Sequence, residues 1–171
     1  MSTISRRRFL QLSAATGGAL MFGDLAGQVL GLTPRTRTAY AAEPIKVGII
    51  DPLSSPYKTS SIHDVHGATV ALEMYNKRGG VLGQPVSIIE ADDASNVQTA
   101  IKAATKLIKE DRVDFLMGTF NGDVALAVAE VAKQENKLFM ATCPHIMELT
   151  GPRCNAHTFV FMPNARMLAL A

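Results

Sequence analysis

The sequence predicts an α/β fold in which a mostly parallel sheet lies between two layers of helices. Short runs of β-branched and apolar residues alternate along the chain with longer segments that repeat apolar residues at helical spacing. Strands that alternate with helices are joined by right-handed crossovers, which place neighbouring strands parallel to one another. The composition agrees with one globular domain, because the 171 residues are 47% hydrophobic and 19% charged.

Four or five strands are predicted, and their expected order across the sheet is 2-1-3-4-5. Each run is short, rich in β-branched or aromatic residues, and followed by turn residues such as Asp51-Pro52 or Gly118. The runs cover residues 45–50, 86–89, 113–117, 138–141 and 158–161.

Helices are predicted in the connections between these strands. In the first helix, apolar residues recur at helical spacing over residues 65–75, and Gly79-Gly80 provides a left-handed ending. Gly67, within this helix, is expected to allow close contact with the sheet. The second helix is expected to begin at a capping box formed by Ser95 and Gln98.

Residues 1–41 have the pattern of an export signal. The segment Ser-Arg-Arg-Arg-Phe-Leu-Gln at residues 5–11 resembles the twin-arginine pattern, with Gln11 in place of the usual Lys. Residues 39–41, Ala-Tyr-Ala, fit a small-x-small cleavage site, so the mature chain is expected to begin near Ala42. No apolar run approaches the ~18–20 residues of a membrane span, so no span is expected after cleavage. The alternative is a basic N-terminal segment without an export role.

The charge balance argues against nucleic-acid binding. Five of the 17 basic residues and one of the 15 acidic residues lie in residues 1–41, which leaves 12 basic and 14 acidic residues in the rest. A domain without a basic excess lacks the clustered Lys and Arg that phosphate contacts need. The two cysteines are too few for a disulfide-built scaffold or a four-cysteine zinc module.

Several segments carry a family resemblance. The turn after the first predicted strand reads Pro-Leu-Ser-Ser-Pro at residues 52–56, and an Asn-x-x-Gly-Gly-x-x-Gly pattern occupies residues 76–83. Asp92-Asp93 follows the second strand, and Glu-Leu-Thr occupies residues 148–150. Together these segments resemble periplasmic binding proteins of the branched-chain amino-acid type, the type I solute-binding subunits of ABC importers. The resemblance covers residues 44–171, and the Asn-x-x-Gly-Gly-x-x-Gly pattern is its most specific element.

The resemblance implies a bilobed protein whose two Rossmann-like three-layer lobes close around a ligand. Residues 42–171 would then be the N-terminal part of the first lobe. That lobe is expected to be incomplete, because the sequence ends two turns into a helix predicted after Asn164. The resemblance further implies a periplasmic location, an ABC permease as partner, a small polar ligand such as an amino acid or amide, no cofactor and no enzymatic activity.

Ligands of open parallel sheets bind beyond the carboxyl ends of the strands. In the family that the sequence resembles, backbone N–H groups and small hydroxyl side chains of two such loops hold the ligand's carboxylate. Two residues depart from that pattern. Asp123 would repel a carboxylate, although it would accept an ammonium group or simply stabilise its helix N-terminus, and Pro144 lacks an N–H donor. The contacts from the first lobe are therefore expected from Ser54, Asn121, Gly122, Cys143 and His145.

Other reactive residues have alternative interpretations. Asp92-Asp93 has the composition of an acid–base or metal pair, although the family has a similar pair without catalytic role. His63 and His66 have a metal-binding spacing, but no third ligand follows and a solvated helix start explains them. Cys143 and His145 form a nucleophile pair only if they face each other, and no orienting acid is evident. No metal site and no catalytic residue are therefore predicted.

The two cysteines leave two states open. Ten residues separate Cys143 from Cys154, a spacing that permits a disulfide in an exported protein and equally permits two free thiols. Two other functions also stay open. One is an exported α/β enzyme, although Gly79-Gly80 ends a helix and does not cradle a phosphate at a helix start. The other is a ligand-sensing or remnant module without a transport role.

Overall fold

The computed structural model describes residues 43–170, and the strands of this region form one parallel sheet. The order across the sheet is β2-β1-β3-β4-β5, with every neighbouring pair parallel. The predicted α/β class and strand order are therefore confirmed. In chain order the strands are β1 Ile45–Asp51, β2 Val86–Asp92, β3 Phe115–Gly118, β4 Leu138–Ala141 and β5 Thr158–Val160.

Helices cover both faces of this sheet and give three layers. One helix packs on the β1–β2 side of one face, and two helices pack on the opposite face. A short 3₁₀ turn, Glu148–Thr150, lies between β4 and β5. The α-helices are α1 Lys58–Lys77, α2 Val97–Lys109, α3 Gly122–Gln134 and α4 Ala165–Ala169.

The larger hydrophobic core lies between the sheet and helices α2 and α3. Its strand residues include Ile50, Leu116 and Phe139, which are fully buried. Burying side chains of this size contributes roughly 1.5–3 kcal/mol each to the free energy of unfolding. Alanines at the facing positions let the helices approach the strands closely, and they are Ala100, Ala104, Ala125, Ala129 and Ala132.

The sheet face that α1 covers has a smaller hydrophobic core, and part of this face is not covered by the helix. Val47, Ile49, Val65 and Val86 are buried beneath α1. Beyond α1, an apolar groove of about 370 Å³ is lined by side chains of both the helix and the sheet. Its floor includes Phe115, Met117 and Met140 of β3 and β4, and Phe159 of β5 is 53% exposed. Among residues 43–170, no helix covers this part of the sheet.

Helix α1 differs from its prediction in two respects. It begins at Lys58, seven residues before the first predicted apolar position, because Ser60 and Ser61 donate backbone hydrogen bonds to the Tyr57 carbonyl oxygen. Gly67 does not contact the sheet, since a Cβ added there would have no atom within 4 Å. The expected role of Gly67 was therefore wrong, because this residue lies on the exposed face of the helix.

The end of α1 explains the Asn-x-x-Gly-Gly-x-x-Gly pattern. The Asn76 side chain donates to the Val86 carbonyl oxygen and accepts from the Val86 N–H, both at 2.8 Å. It thereby joins the last turn of α1 to the first residue of β2. Gly80 has a φ of +74°, and a Cβ there would collide with the Gln84 carbonyl oxygen. The predicted left-handed ending at Gly79-Gly80 is confirmed.

Helix α2 is capped by Asn96 instead of Ser95. The Asn96 backbone is extended, and its side-chain oxygen accepts hydrogen bonds from the N–H groups of Gln98 and Thr99 at 2.9 and 3.0 Å. Ser95 has a φ of +56°, which is incompatible with the extended backbone of a capping residue. The predicted capping box at Ser95 was therefore wrong, because the residue that caps α2 is Asn96.

The predicted export signal, residues 1–41, lies outside the described residues. Within residues 43–170, no helix is both long enough and apolar enough to cross a membrane.

Candidate functional site

The candidate site lies where strands β1, β3 and β4 end, at the carboxyl edge of the sheet. Hydrogen bonds join the strand ends there. The Thr119 N–H donates to the Ile50 carbonyl oxygen at 2.7 Å, and the Thr142 N–H donates to the Gly118 carbonyl oxygen at 3.1 Å. Gly118 has a φ of +114°, and a Cβ there would collide with the Ile50 carbonyl oxygen. The glycine therefore lets the loop after β3 start in contact with β1.

The start of α3 provides backbone N–H donors at this edge that have no partner among residues 43–170. Asn121 precedes the helix with an extended backbone, and its side chain makes no capping hydrogen bond. The first N–H groups of a helix have no partner within the helix, so those of Gly122 and its neighbours suit a carboxylate or carbonyl oxygen. A Cβ at Gly122 would collide with the Ile146 side chain, so this glycine lets the loop after β4 contact the start of α3. The structure therefore brings the loop that contains His145 against Gly122 at the start of α3.

Ser54 lies at the same edge, but its hydrogen-bond donors are directed to Asp92. Its N–H donates to Asp92 Oδ1 at 3.3 Å, and the same oxygen accepts from the N–H groups of Leu53 and Ala94. Burial alone would raise the pKa of Asp92, but hydrogen bonds from the Ser54 hydroxyl and these N–H groups outweigh it and lower that pKa. Asp92 therefore joins the loop after β1 to the end of β2.

The loop after β4 holds Cys143 and His145 in different environments. His145 is exposed, its Nδ1 lies 2.9 Å from the Pro163 carbonyl oxygen, and its own carbonyl oxygen accepts from the Ala165 N–H. Burial raises the pKa of the Cys143 thiol, and the negative charges of Asp64 and Asp51 raise it further. A nucleophilic cysteine needs a lowered pKa, so these contacts do not support a Cys–His nucleophile pair.

Both cysteines are free thiols in the structure. The parallel topology favours the free-thiol alternative over the disulfide. Cys143 follows the carboxyl end of β4, whereas Cys154 precedes the amino end of β5, and these ends lie at opposite edges of a parallel pair. The four residues of β4 alone span roughly 10 Å. A disulfide requires Cα atoms within about 7 Å.

A residue that the sequence analysis treated as part of a turn lies at the centre of this edge. Asp51, the last residue of β1, is 1% exposed, and neither carboxylate oxygen has a hydrogen-bond partner among the described residues. Its pKa is raised from 3.8 to about 7, first by burial and then by the negative charges of Asp64 and Asp93. The Thr119 N–H, which donates to the Ile50 carbonyl oxygen, lies close enough to oppose this increase.

Further unpaired oxygens surround Asp51. Asp93 is 1% exposed, and its Oδ1 accepts from the Ser95 N–H at 2.7 Å, whereas its Oδ2 has no partner among the described residues. Burial raises the pKa of Asp93, while the Ser95 hydrogen bond lowers it and the charge of Asp92 raises it. The Thr119 hydroxyl is fully buried and has no partner within residues 43–170. The carboxyl edge is therefore rich in hydrogen-bond acceptors.

The other metal-like patterns do not assemble into a site. His63 and His66 both lie on exposed positions of α1. Within the described part of the chain, no three His, Cys, Asp or Glu side chains converge so as to hold a metal ion.

Known proteins share this fold. A family model described as "Periplasmic binding protein" matches residues 44–171. The chain belongs to this family. It is 35% identical over 98 residues to the Leu/Ile/Val-binding protein BraC3 of Rhizobium johnstonii, a match that covers 57% of this chain and 26% of the relative. It is also 35% identical over 112 residues to the Leu/Ile/Val-binding protein homolog 3 of Brucella melitensis, covering 66% of this chain and 29% of the relative.

Solved structures of the family agree with the fold. An amino acid ABC transporter substrate-binding protein from Pseudomonas fluorescens Pf-5 has a TM-score of 0.66 and 27% identity, over 73% of this chain and 32% of that protein. The branched-chain amino acid transporter substrate binding protein LivJ from Streptococcus pneumoniae, in complex with isoleucine, has a TM-score of 0.66 and 19% identity. That second match covers 71% of this chain and 34% of LivJ. The chain therefore spans between about a quarter and a third of the length of these relatives.

Proposed function

We propose that this protein is the solute-binding component of an ABC importer that takes up a small polar solute, such as an amino acid or an amide. The proposal rests mainly on the geometry of the carboxyl edge. There the loops after β1, β3 and β4 lie together, next to the first N–H groups of α3, which have no partner among the described residues. Such a site suits a ligand with a carboxylate or carbonyl oxygen. Membership of the periplasmic binding protein family supports this function, as do relatives named for amino-acid binding.

In this proposal, residues 42–171 form the N-terminal part of the first of two lobes. The ligand contacts from this lobe come from Ser54, Asn121, Gly122, Cys143 and His145. Of these, Ser54 contributes mainly acceptor oxygens, because its donors are directed to Asp92. The carboxyl edge alone leaves a bound solute largely solvated, so we expect weak binding by this chain without a second lobe.

The proposal also includes export and a membrane partner. Residues 1–41 direct the chain through the twin-arginine route, cleavage near Ala41 releases it into the periplasm, and the loaded protein docks on an ABC permease. Deleting the gene should then abolish uptake of the solute without affecting any enzymatic turnover of it.

Amide spectra of the isotope-labelled 171-residue chain test the site directly, because they detect millimolar binding. A panel of amino acids and their amides should shift the resonances of Gly122, Cys143 and His145. The double variant Asn121→Ala and His145→Ala should weaken binding, whereas Gln134→Ala, at the exposed far end of α3, should not. If no member of the panel shifts the carboxyl edge, or if shifts map to the opposite edge, the proposal fails.

A further inference from the structure

The side of the sheet that carries α1 has room for a second helix. Five strands spaced about 4.8 Å apart span roughly 19 Å, and two helices fit side by side on that width at their usual separation of about 8–10 Å. The opposite side carries α2 and α3, whereas the α1 side carries one helix of the described residues. Parallel sheets are normally covered on both faces, so the part beyond α1 lacks a covering element.

This uncovered part, which we call the open face, is formed by apolar side chains of β3, β4 and β5. Successive side chains of a strand point to opposite sides of the sheet. Because Leu116, Phe139 and Val160 pack towards α2 and α3, their neighbours point to the α1 side. These neighbours are Phe115, Met117, Leu138, Met140 and Phe159. An exposed apolar surface of this extent marks an interaction site.

Helix α1 also has apolar residues on the side that points away from its own sheet. Ala68 and Leu72 pack on the sheet, whereas Val70 and Met74 lie roughly 200° further round the helix. Val70 is 58% exposed and Met74 is 51% exposed. Gly67 lies on the same outer side, where a Cβ would have no atom within 4 Å. A helix with apolar residues on opposite sides is normally buried on both.

We propose that two copies of this chain pair face to face, with the outer stripe of α1 from each copy lying on the open face of the other. The outer stripe consists of Gly67, Val70 and Met74. Each chain thus offers one helix surface without a partner and one vacant helix position. A two-fold pair uses both surfaces of both chains, so the assembly closes as a dimer.

The position of α1 over β1 and β2 determines the symmetry of this pair. A two-fold axis perpendicular to the strands, midway between the facing sheets, would place α1 on α1 and leave the open faces uncovered. An axis parallel to the strands places α1 of one copy over β4 and β5 of the other. The carboxyl edges of both sheets then lie at the same end of the dimer and outside the interface. The inference therefore goes beyond the proposed solute-binding function and does not depend on it.

The apolar area available on each chain matches what a stable dimer needs. Besides the open face, each chain contributes the outer stripe, Tyr75 beside it, and Phe161, which continues the alternation of β5. The half-exposed side chains among these offer roughly 100 Å² each, and with the partly buried floor of the open face they reach roughly 700–800 Å² per chain. A standard specific interface buries about 800 Å² per partner.

Sedimentation equilibrium of the 171-residue chain between about 1 and 100 µM tests the pairing. The chain should approach twice its monomer mass at the upper concentration. Met74→Glu places a charge in the proposed interface and should raise the dimer Kd by roughly tenfold or more. Phe159→Lys should do the same from the open face.

The matched control is Met147→Glu. Met147 is 48% exposed, like Met74, but it belongs to the turn that packs through Leu149 on the opposite side of the sheet. This variant should therefore leave the dimer Kd unchanged. Circular dichroism of all three variants confirms that the fold is retained.

A mixture of isotope-labelled and unlabelled chains identifies the surfaces that meet. Filtered NOE spectra should connect the Met74 methyl group of one chain with ring protons of Phe115 or Phe159 of the other. A monomer at 100 µM would overturn the inference, whatever else then covers the open face. Equal changes of Kd in Met74→Glu and Met147→Glu, or intermolecular NOEs confined to α1 against α1, would overturn it as well. Met74→Glu should leave the amide shifts of the solute panel unchanged, so the pairing and the proposed function fail or hold separately.

Discussion

Replacing Asp51 by Asn should make the stability of the chain less dependent on pH. The pKa of Asp51 is raised from 3.8 to about 7 in the folded protein, so the folded state binds a proton more tightly than the unfolded state. Between these two pH values the folded state holds more protons, and the free energy of unfolding therefore falls as the pH rises. Below about pH 4 this penalty is absent, and above about pH 7 it is present in full.

The structure sets the size of the effect. At about 1.4 kcal/mol per pH unit, the change in pKa corresponds to about 4 kcal/mol. Part of this change comes from the charges of Asp64 and Asp93, whose own pKa values burial also raises, so we expect about 2–4 kcal/mol from Asp51 itself. Asn has the same shape as Asp and no charge. The Asp51→Asn variant should therefore be more stable than the parent by about 2–4 kcal/mol at pH 8 and nearly equal at pH 4.

Urea unfolding followed by circular dichroism measures this difference. Parent, Asp51→Asn and Asp111→Asn chains are unfolded at several pH values between 4 and 8, with Asp111→Asn controlling for net charge. The advantage of Asp51→Asn should grow through the pH range in which Asp51 ionises. An advantage that is the same at both extremes, or a parent that is more stable at pH 8, would refute the account of Asp51 as a buried carboxylate without a partner.

Three further experiments test other parts of the chain. Asn76→Ala should lower the free energy of unfolding by about 2 kcal/mol, because it removes both hydrogen bonds to the partly buried backbone of Val86. A loss below about 0.5 kcal/mol in urea unfolding would contradict this. Gly118→Ala should cost about 2–4 kcal/mol, and more than Gly83→Ala. Both glycines have positive φ, but a Cβ meets the backbone only at Gly118, so equal costs would exclude the overlap. Changing Arg6 and Arg7 together to Lys should retain the precursor in the cytoplasm on fractionation, whereas normal processing would exclude the twin-arginine route.

The strand order was predictable because each strand carries its own local pattern. The five apolar runs are separated by amphipathic segments, and right-handed crossovers leave few possible arrangements for such an alternation. The boundaries were less predictable. Strand β3 begins at Phe115 and not at Val113, because the Val113 N–H donates to the Leu107 carbonyl oxygen of α2. Asp114 also accepts a hydrogen bond from the Lys46 N–H, so both residues belong to the connection.

What the sequence pattern could not settle depends on contacts that form only in the folded chain. Ser95 has the residue type of a helix cap, but the Asp93 carboxylate accepts its N–H and holds it at positive φ, which moves the cap to Asn96. The disulfide alternative depended on ten residues of chain separation. The pairing of β4 with β5 is parallel, so Cys143 and Cys154 adjoin opposite edges of this strand pair, and both are free thiols. The spacing of residues in the sequence reveals neither the hydrogen bond from Ser95 to Asp93 nor the parallel pairing of β4 with β5.

Asp51 shows most clearly where the sequence pattern stops being informative. An Asp before a Pro at the end of an apolar run has the composition of an exposed turn. Its burial arises only when α1, the loop after β2 and the Thr119 segment meet around it, and those segments lie up to 68 residues away in the chain. The same edge holds the unpaired N–H groups at the start of α3, which attract negative charge. Groups of opposite preference thus line one edge of the sheet, and no local pattern in the sequence brings them together.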